Sequence, residues 1–320
     1  MEFLELLIQK ILTLRTKQRK MNPPVIIFAY NRARHLQRLV DSLLQNPECV
    51  STDLYIFADG ERTPGDPLVK AVSDTIDGIK GFKSINVTKR NKNIGLASNI
   101  IDGVTSTINL HGEAIVLEDD LVVTPIFLRY MRDALNYYKD TKAFSIAGYT
   151  PPVDIPNDYK HDTYAIMRNC SWGWATWKDR WMQVDWDVKD FDKFFADDDA
   201  VRQFNNAGND LSTMLYKQQK GQINSWSIRF CYASFLLQMP TIYPVRSLVT
   251  NGGADGSGSN VGSTSKYNTT TFDSDKNSFD FCSNLEINQL ILKSFRRTYD
   301  TSLQRRIINY AKRMAWKVSH

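Results

Sequence analysis

The sequence predicts an α/β protein, a mostly parallel sheet flanked by helices with an amphipathic helix at each end. Three observations predict it. Short apolar runs rich in β-branched residues, 25–30, 54–58, 85–88 and 114–117, each stop at polar residues, as strands covered on both faces do. Between them, apolar residues fall at helical spacing. Run and helix alternate at a period that suits right-handed crossovers.

Residues 1–20 carry Phe3, Leu6, Leu7, Ile11 and Leu14 on one side and a basic tail, the pattern of a helix lying at an interface or on the domain. The apolar part is interrupted by Glu5 and Lys10, so neither a signal peptide nor a transmembrane anchor is expected. After Pro23-Pro24, the run Val25 to Tyr30 is the first strand, closed by Asn31-Arg32. Leu36, Leu39, Val40, Leu43 and Leu44 then set a helix. The second strand ends at Asp59-Gly60, and the third ends near Asn91-Lys92-Asn93. A helix from about Leu96 to Ile108 leads to the fourth strand.

That fourth strand ends in Glu118-Asp119-Asp120. Three adjacent carboxylates repel one another, and a divalent cation shared with a diphosphate is the usual remedy. They stand where open α/β sheets bind ligands, at the carboxyl ends of strands, where Arg32, Asp59 and Asn93 should also gather. Beyond them Thr124-Pro125 reads as a hydroxyl cap with proline in the first turn, before Phe127, Leu128, Met131 and Leu135 at helical spacing. No glycine-rich turn matches a dinucleotide or phosphate-loop fingerprint, so a dehydrogenase or ATPase loses its main support.

From residue 144 onward the elements shorten and aromatics multiply. Rings stack on the apolar faces of sugars, so Trp172 and Trp174, flanking Gly173, are expected in a carbohydrate site and Trp177 and Trp181 in the core. Asp197 to Asp199 read as solvated surface, followed by helices around 211–217 and 226–237. The glycine-rich 252–260 stretch, with Asp255 inside it, suits a lid, and 261–275 an exposed connection. The tail 301–318 mixes Leu303, Ile307, Ile308, Tyr310, Met314 and Trp316 with basic residues, fitting a helix on an anionic membrane surface or on the domain.

Composition bounds the rest. The 320 residues are 42% hydrophobic and 23% charged, as in a soluble globular protein, and the net charge of +5 is concentrated at the two ends. Four dispersed cysteines form neither a zinc pattern nor a disulfide framework and suggest a reducing, cytoplasmic setting.

Taken together, the acidic strand end, Phe57 to Gly60 and Trp172 to Trp174 resemble a GT-A glycosyltransferase. More narrowly, 24–32, 93–97, 117–125, 171–181, 224–229 and 247–260 are similar to bacterial sugar transferases of surface-polysaccharide clusters and, distantly, to N-acetylglucosaminyltransferase I. The resemblance implies a nucleoside-diphosphate sugar, a UDP-sugar before others, with Mn²⁺ or Mg²⁺ on its diphosphate. By it, Arg32 and Asp59 contact the base, with Tyr30 and Asn93 beside it. Glu118 and Asp119 face sugar and ribose, Asp120 binds the metal, and Trp172, Gly173 and Trp174 line the sugar side.

Where relatives place an acid at the start of the Ser-Trp helix, this chain has Asn224, and an amide cannot deprotonate an acceptor. Either Asp255 or Asp210 serves as base in an inverting reaction, with Asp255 preferred, or the reaction is retaining with Asn224 near the anomeric carbon. At the end of the glycine-rich loop, where relatives often carry histidine, stands Asn260. The implied organisation is an N-terminal helix (1–20), a catalytic domain (21–280, its nucleotide half 21–142 and acceptor half 143–280) and a basic helical tail (281–320). The expected acceptor is a polysaccharide or lipid-linked glycan and the expected place the inner face of the cytoplasmic membrane; nucleic acid is not an expected partner. A catalytically silent sugar-nucleotide or glycan-binding protein is the alternative, and a sugar nucleotidyltransferase a distant third.

Overall fold

In the computed structural model, residues 22–255, 267 and 269–319 are described, with only the backbone of Ala254, Asp255 and Ser319. The expected N-terminal helix and Asn260 lie outside the described residues. The first half alternates β1 (Val25–Ala29), α1 (Ala33–Leu44), β2 (Asp53–Ala58), α2 (Pro67–Asp77), β3 (Ser84–Lys89), α3 (Leu96–His111) and β4 (Glu113–Glu118). Then come β5 (Leu121–Val123), α4 (Phe127–Tyr138), β6 (Ser145–Ala147), β7 (Thr163–Ile166), β8 (Trp174–Trp177) and a short α5 (Lys178–Trp181). The second half continues with α6 (Phe191–Ala196), α7 (Asp198–Phe204), α8 (Leu211–Gln219), α9 (Trp226–Leu237), β9 (Thr241–Pro244), β10 (Val249–Asn251), α10 (Gln289–Tyr299) and α11 (Leu303–Ser319).

Eight strands form one mixed, mostly parallel sheet in the order β3-β2-β1-β4-β8-β6-β9-β7. Its first four strands are all parallel, and β8 turns the sheet antiparallel against β4 and β6. Alternation along β1 assigns the layers. Val25 and Ile27 join Leu36, Leu39, Val40 and Leu43 of α1 and Val72 and Ile76 of α2 on one face. Ile26 and Phe28 join Ile100, Val104 and Ile108 of α3 on the other. Each such aliphatic side chain, fully buried, contributes roughly 1.5–3 kcal/mol. At Gly103 of α3 a Cβ would stand 2.7 Å from the Phe28 ring and 2.9 Å from that of Phe57, so only glycine lets this helix lie so close to the sheet.

One local expectation is corrected. The helix after Pro125 begins at Phe127, not at Pro125, and the Thr124 hydroxyl is buried without a partner. Its cap comes from far away, because Asn46 Oδ1 accepts from the Leu128 N–H at 2.9 Å. The acids at 197–199 are exposed, as expected, and two of them also hold structure in place. Asp197 caps α7 through the Asp199 and Ala200 N–H groups, and Asp198 accepts from Arg313 at 2.6 Å and Lys317 at 2.8 Å, pinning α11 to the body. The cysteines Cys49, Cys170, Cys231 and Cys282 are all free and buried. Among the described residues no helix is long and apolar enough to cross a membrane.

Candidate functional site

Strand order locates the site. β1 lies between β2 and β4, and the chain reaches those neighbours by crossovers on opposite faces, leaving a crevice beyond the carboxyl ends of β1 and β4. Into it run Tyr30-Asn31-Arg32 from β1 and Glu118-Asp119-Asp120 from β4. The two ends are tied together. The Arg32 guanidinium donates to Asp119 and, at 3.2 Å, from Nη1 to Asp120 Oδ2, while the Tyr30 N–H reaches Asp119 Oδ2 at 3.4 Å.

Charge here does not balance. Burial alone pulls the Arg32 pKa down, but Asp119 and Asp120 outweigh it and leave the guanidinium above its ordinary value. Burial pushes Asp119 up to about 6 despite Arg32. Burial, then Asp120 and Asp119, push Glu118 up to about 8, and its carboxylate has no hydrogen-bond or ion-pair partner among the described residues. Two carboxylates share one guanidinium and a third stands beside them, so the crevice floor favours a cation.

Beside it, Asp59 holds backbone. Its carboxylate accepts from the N–H groups of Gly60 (2.9 Å), Ile94 (2.9 Å) and Gly95 (3.0 Å), clasping the loop before α3 to the end of β2. Asn93 completes the clasp, donating from Nδ2 to the Gly60 carbonyl at 3.1 Å. Arg62, which sequence reasoning missed, lies over the Tyr30 ring at 5.7 Å and donates to Asn93 Oδ1 at 3.4 Å. It follows a strand end, the same signal that marked Arg32.

Over the acids lies the start of the glycine-rich stretch, Gly252–Asp255. β10 pairs antiparallel with β5, and the Gly252 N–H donates to the Asp120 carbonyl at 2.7 Å. A Cβ on Gly253 would stand 2.6 Å from Asp120 Oδ2, so any larger residue there would push that carboxylate aside. The backbone of Asp255 ends the same short turn, Gly252–Asp255, and its side chain lies outside the described residues. Gly173 packs under this ribbon, where a Cβ would touch Val249 at 2.8 Å and Leu117 at 3.3 Å. Trp172 is half-buried in edge contacts with Tyr149 and Tyr267 at 4.6 and 5.3 Å.

The remaining expectations divide. Trp174 is not at the site: it is 1% exposed, stacked between Trp226 at 4.8 Å and Trp181 at 5.8 Å, because its side of β8 faces the α3–α9 layer. Trp177 and Trp181 are core, as expected. Asp210 is corrected too. Its two oxygens accept from Arg168 at 2.8 and 2.9 Å, and that guanidinium stacks on Tyr299 at 3.8 Å, so the carboxylate is committed and is no base. Asn224 is exposed just before α9 and accepts from Arg229 at 3.4 Å.

Among the described residues no three His, Cys, Asp or Glu side chains converge as a closed metal cage. The donor set suits another kind of site. Mg²⁺ and its like are often held by one or two carboxylates plus phosphate oxygens and water, and surplus negative charge on hard oxygens at a strand end fits that.

No protein-family model matches the chain, and no curated protein matches it. Solved structures similar to it include a Pyrobaculum calidifontis mannosyltransferase in complex with GDP-mannose and Mn²⁺, 12% identical over 49% of this chain and 45% of that one with a TM-score of 0.35. Another is S. aureus TarS, 11% identical over 44% and 24% of the two chains with a TM-score of 0.29. A nucleoside-diphosphate-sugar pyrophosphorylase from Vibrio cholerae is 12% identical over 72% and 95%, with a TM-score of 0.38. The chain thus spans less than half the length of the first two, and all three likenesses are distant.

Proposed function

We propose that this chain is a metal-assisted glycosyltransferase with a GT-A fold that takes a sugar from a nucleoside diphosphate, most simply a UDP-sugar, and gives it to a glycan or lipid-linked acceptor. One observation carries the reading: at the switch point of the sheet, three carboxylates face one guanidinium beneath a glycine loop that touches the last of them. Arg32 and Asp119 form the rigid floor, and Tyr30 with Arg62 gives a flat cationic edge on which a base would stack. Asp59 and Asn93 hold the neighbouring loop in shape for it.

Asp120 would hold the divalent ion, which when bound neutralises the charge developing on the departing diphosphate. Glu118 faces the same space and would accept from sugar or ribose hydroxyls, with Trp172 and Gly173 on the sugar side. Asp255, at the end of the turn above Asp120, is the proposed base for an inverting transfer. Asp210 is withdrawn from that role by Arg168. A retaining transfer would use Asn224 instead.

A second reading, a silent binder of sugar nucleotides, draws support from that same loss of Asp210 as a base. A thermal-shift panel of UDP, GDP, CDP and dTDP with and without Mn²⁺ tests the site itself. A ligand at about a hundred times its Kd adds ~2.7 kcal/mol to the folded state. A metal-dependent shift with one nucleotide is expected, and none with any would remove the proposal. Release of free nucleotide from the donor in the presence of acceptor extract then separates the enzyme from the binder.

A further inference from the structure

We propose that α11 is a membrane-docking helix that lays an apolar stripe on an anionic phospholipid bilayer and seats a lipid headgroup phosphate in the arginine-lined groove beside it. The helix is held by one edge only. Arg313 donates to the Phe195 carbonyl at 2.9 Å and to Asp198, while Trp316 packs edge-on against Phe191 and Phe195. The adjoining edge is exposed among the described residues. Leu303, Ile307, Tyr310 and Val318 recur at helical spacing and are 68%, 61%, 63% and 90% exposed, with half-buried Met314 on the same line. Elsewhere in the molecule the apolar side of an amphipathic helix is spent on the sheet, as in α1 and α4. Here it faces solvent.

Charge identifies the occupant. From 289 to 319 there are eight Lys and Arg against one acid, Asp300. On α11 itself Arg306 and Lys317 flank one side of the stripe, while Arg305 and Lys312 lie on the far side. Between this helix and α7–α8 lies a cavity of about 670 Å³, lined by Leu303, Ile307 and Tyr310 on the helix and by Arg202, Arg296, Arg306 and the Arg313-paired Asp198. Arg202 and Arg296 make exposed pairs with Asp199 and Asp300, whereas Arg306 has no acidic partner among the described residues. A phospholipid offers that combination, a phosphate joined to an apolar body, and the stripe continues the apolar wall outward. The surface is separate from the strand-end crevice, so it stands or falls independently of glycosyl transfer.

The test is sedimentation of the full-length chain with vesicles of phosphatidylglycerol and phosphatidylcholine, and with phosphatidylcholine alone, at low salt. Binding to the anionic vesicles only is expected. Arg306→Gln should weaken it about fivefold and Arg305→Gln, on the far side of the helix, by less, and the double variant Ile307→Ser/Tyr310→Ser should abolish it with an unchanged melting temperature and nucleotide shift. Undiminished binding by that double variant would overturn the proposal by placing the contact elsewhere on the chain. So would a wild type that ignores vesicles but is a dimer which the double variant renders monomeric, since the stripe would then belong to a second copy. Inorganic phosphate should displace the protein no more than sodium chloride of equal ionic strength. Complete release by phosphate alone would reduce the groove to a free-anion site and overturn the bilayer as occupant.

Discussion

Two of the chain's Asp–Arg sites, each an ion pair out of the open solvent, differ in kind. At Arg168–Asp210 one guanidinium meets one carboxylate through two bonds, with Tyr299 closing the stack. At Arg32 a single guanidinium is divided between Asp119 and Asp120, and Glu118 beside them has no partner. The first is complete and belongs to the architecture. The second carries a surplus of negative charge that no other described residue offsets. Charge balance, rather than the presence of an ion pair, separates a brace from a binding site.

Four measurements would break or sharpen that contrast. The largest effect is expected at the brace: Arg168→Met should cost about 3–5 kcal/mol in denaturant unfolding, because it strands Asp210. At the crevice the loss should appear in binding instead. Asp120→Asn should weaken the metal-dependent nucleotide shift by at least about a hundredfold in apparent affinity, since even partners one step removed from a metal are worth 10–100-fold. A smaller loss would move the ion to Glu118 or Asp119.

Gly253→Ala comes next. Its new methyl would meet the Asp120 oxygen that holds Arg32, and about a tenfold loss of nucleotide affinity is expected, with stability changed by less than about 1 kcal/mol. Unaltered affinity would show that the loop does not control the acid.

The smallest effect is a pH dependence. Because Glu118 is pushed up to about 8 when folded, its ionisation opposes folding. That penalty is absent below about pH 4, grows as pH rises and is complete above about 8. Glu118→Gln escapes it and should be more stable than wild type by on the order of 1–2 kcal/mol at pH 9 and by nothing near pH 4, as read from unfolding at each pH. Equal stabilities at pH 9 would mean that Glu118 is already balanced and the contrast between the two sites is false.

Much of this was legible in the chain, and the failures share a cause. The four parallel strands, α3 and the gathering of Arg32 and the acids at one sheet edge follow from local periodicity and from where α/β sheets leave their crevice. What was not legible depended on partners far along the chain. Thr124 looked like a cap, but the cap is Asn46, 82 residues before the N–H it serves. Asp210 looked like a free acid until Arg168, 42 residues away, claimed both its oxygens. Asp59 is engaged by backbone 35 residues on. Trp172 and Trp174 are identical by composition and two residues apart, yet one ends up at the rim and the other in the core. Their separation depends on Gly173 and on the pairing of β8 with β4, neither of which sequence spacing reports.

The bond from the Gly252 N–H to the Asp120 carbonyl makes one amide proton a spectator of the site. While the turn rests on the acid, that proton is shielded, and it exchanges with solvent only when the turn lifts away. Its exchange rate therefore counts openings directly. If nucleotide and Mn²⁺ occupy the crevice beneath the turn, deuterium uptake at Gly252 should slow on their addition while uptake in α8 stays the same. An unchanged rate would mean that ligands enter and leave without lifting the loop.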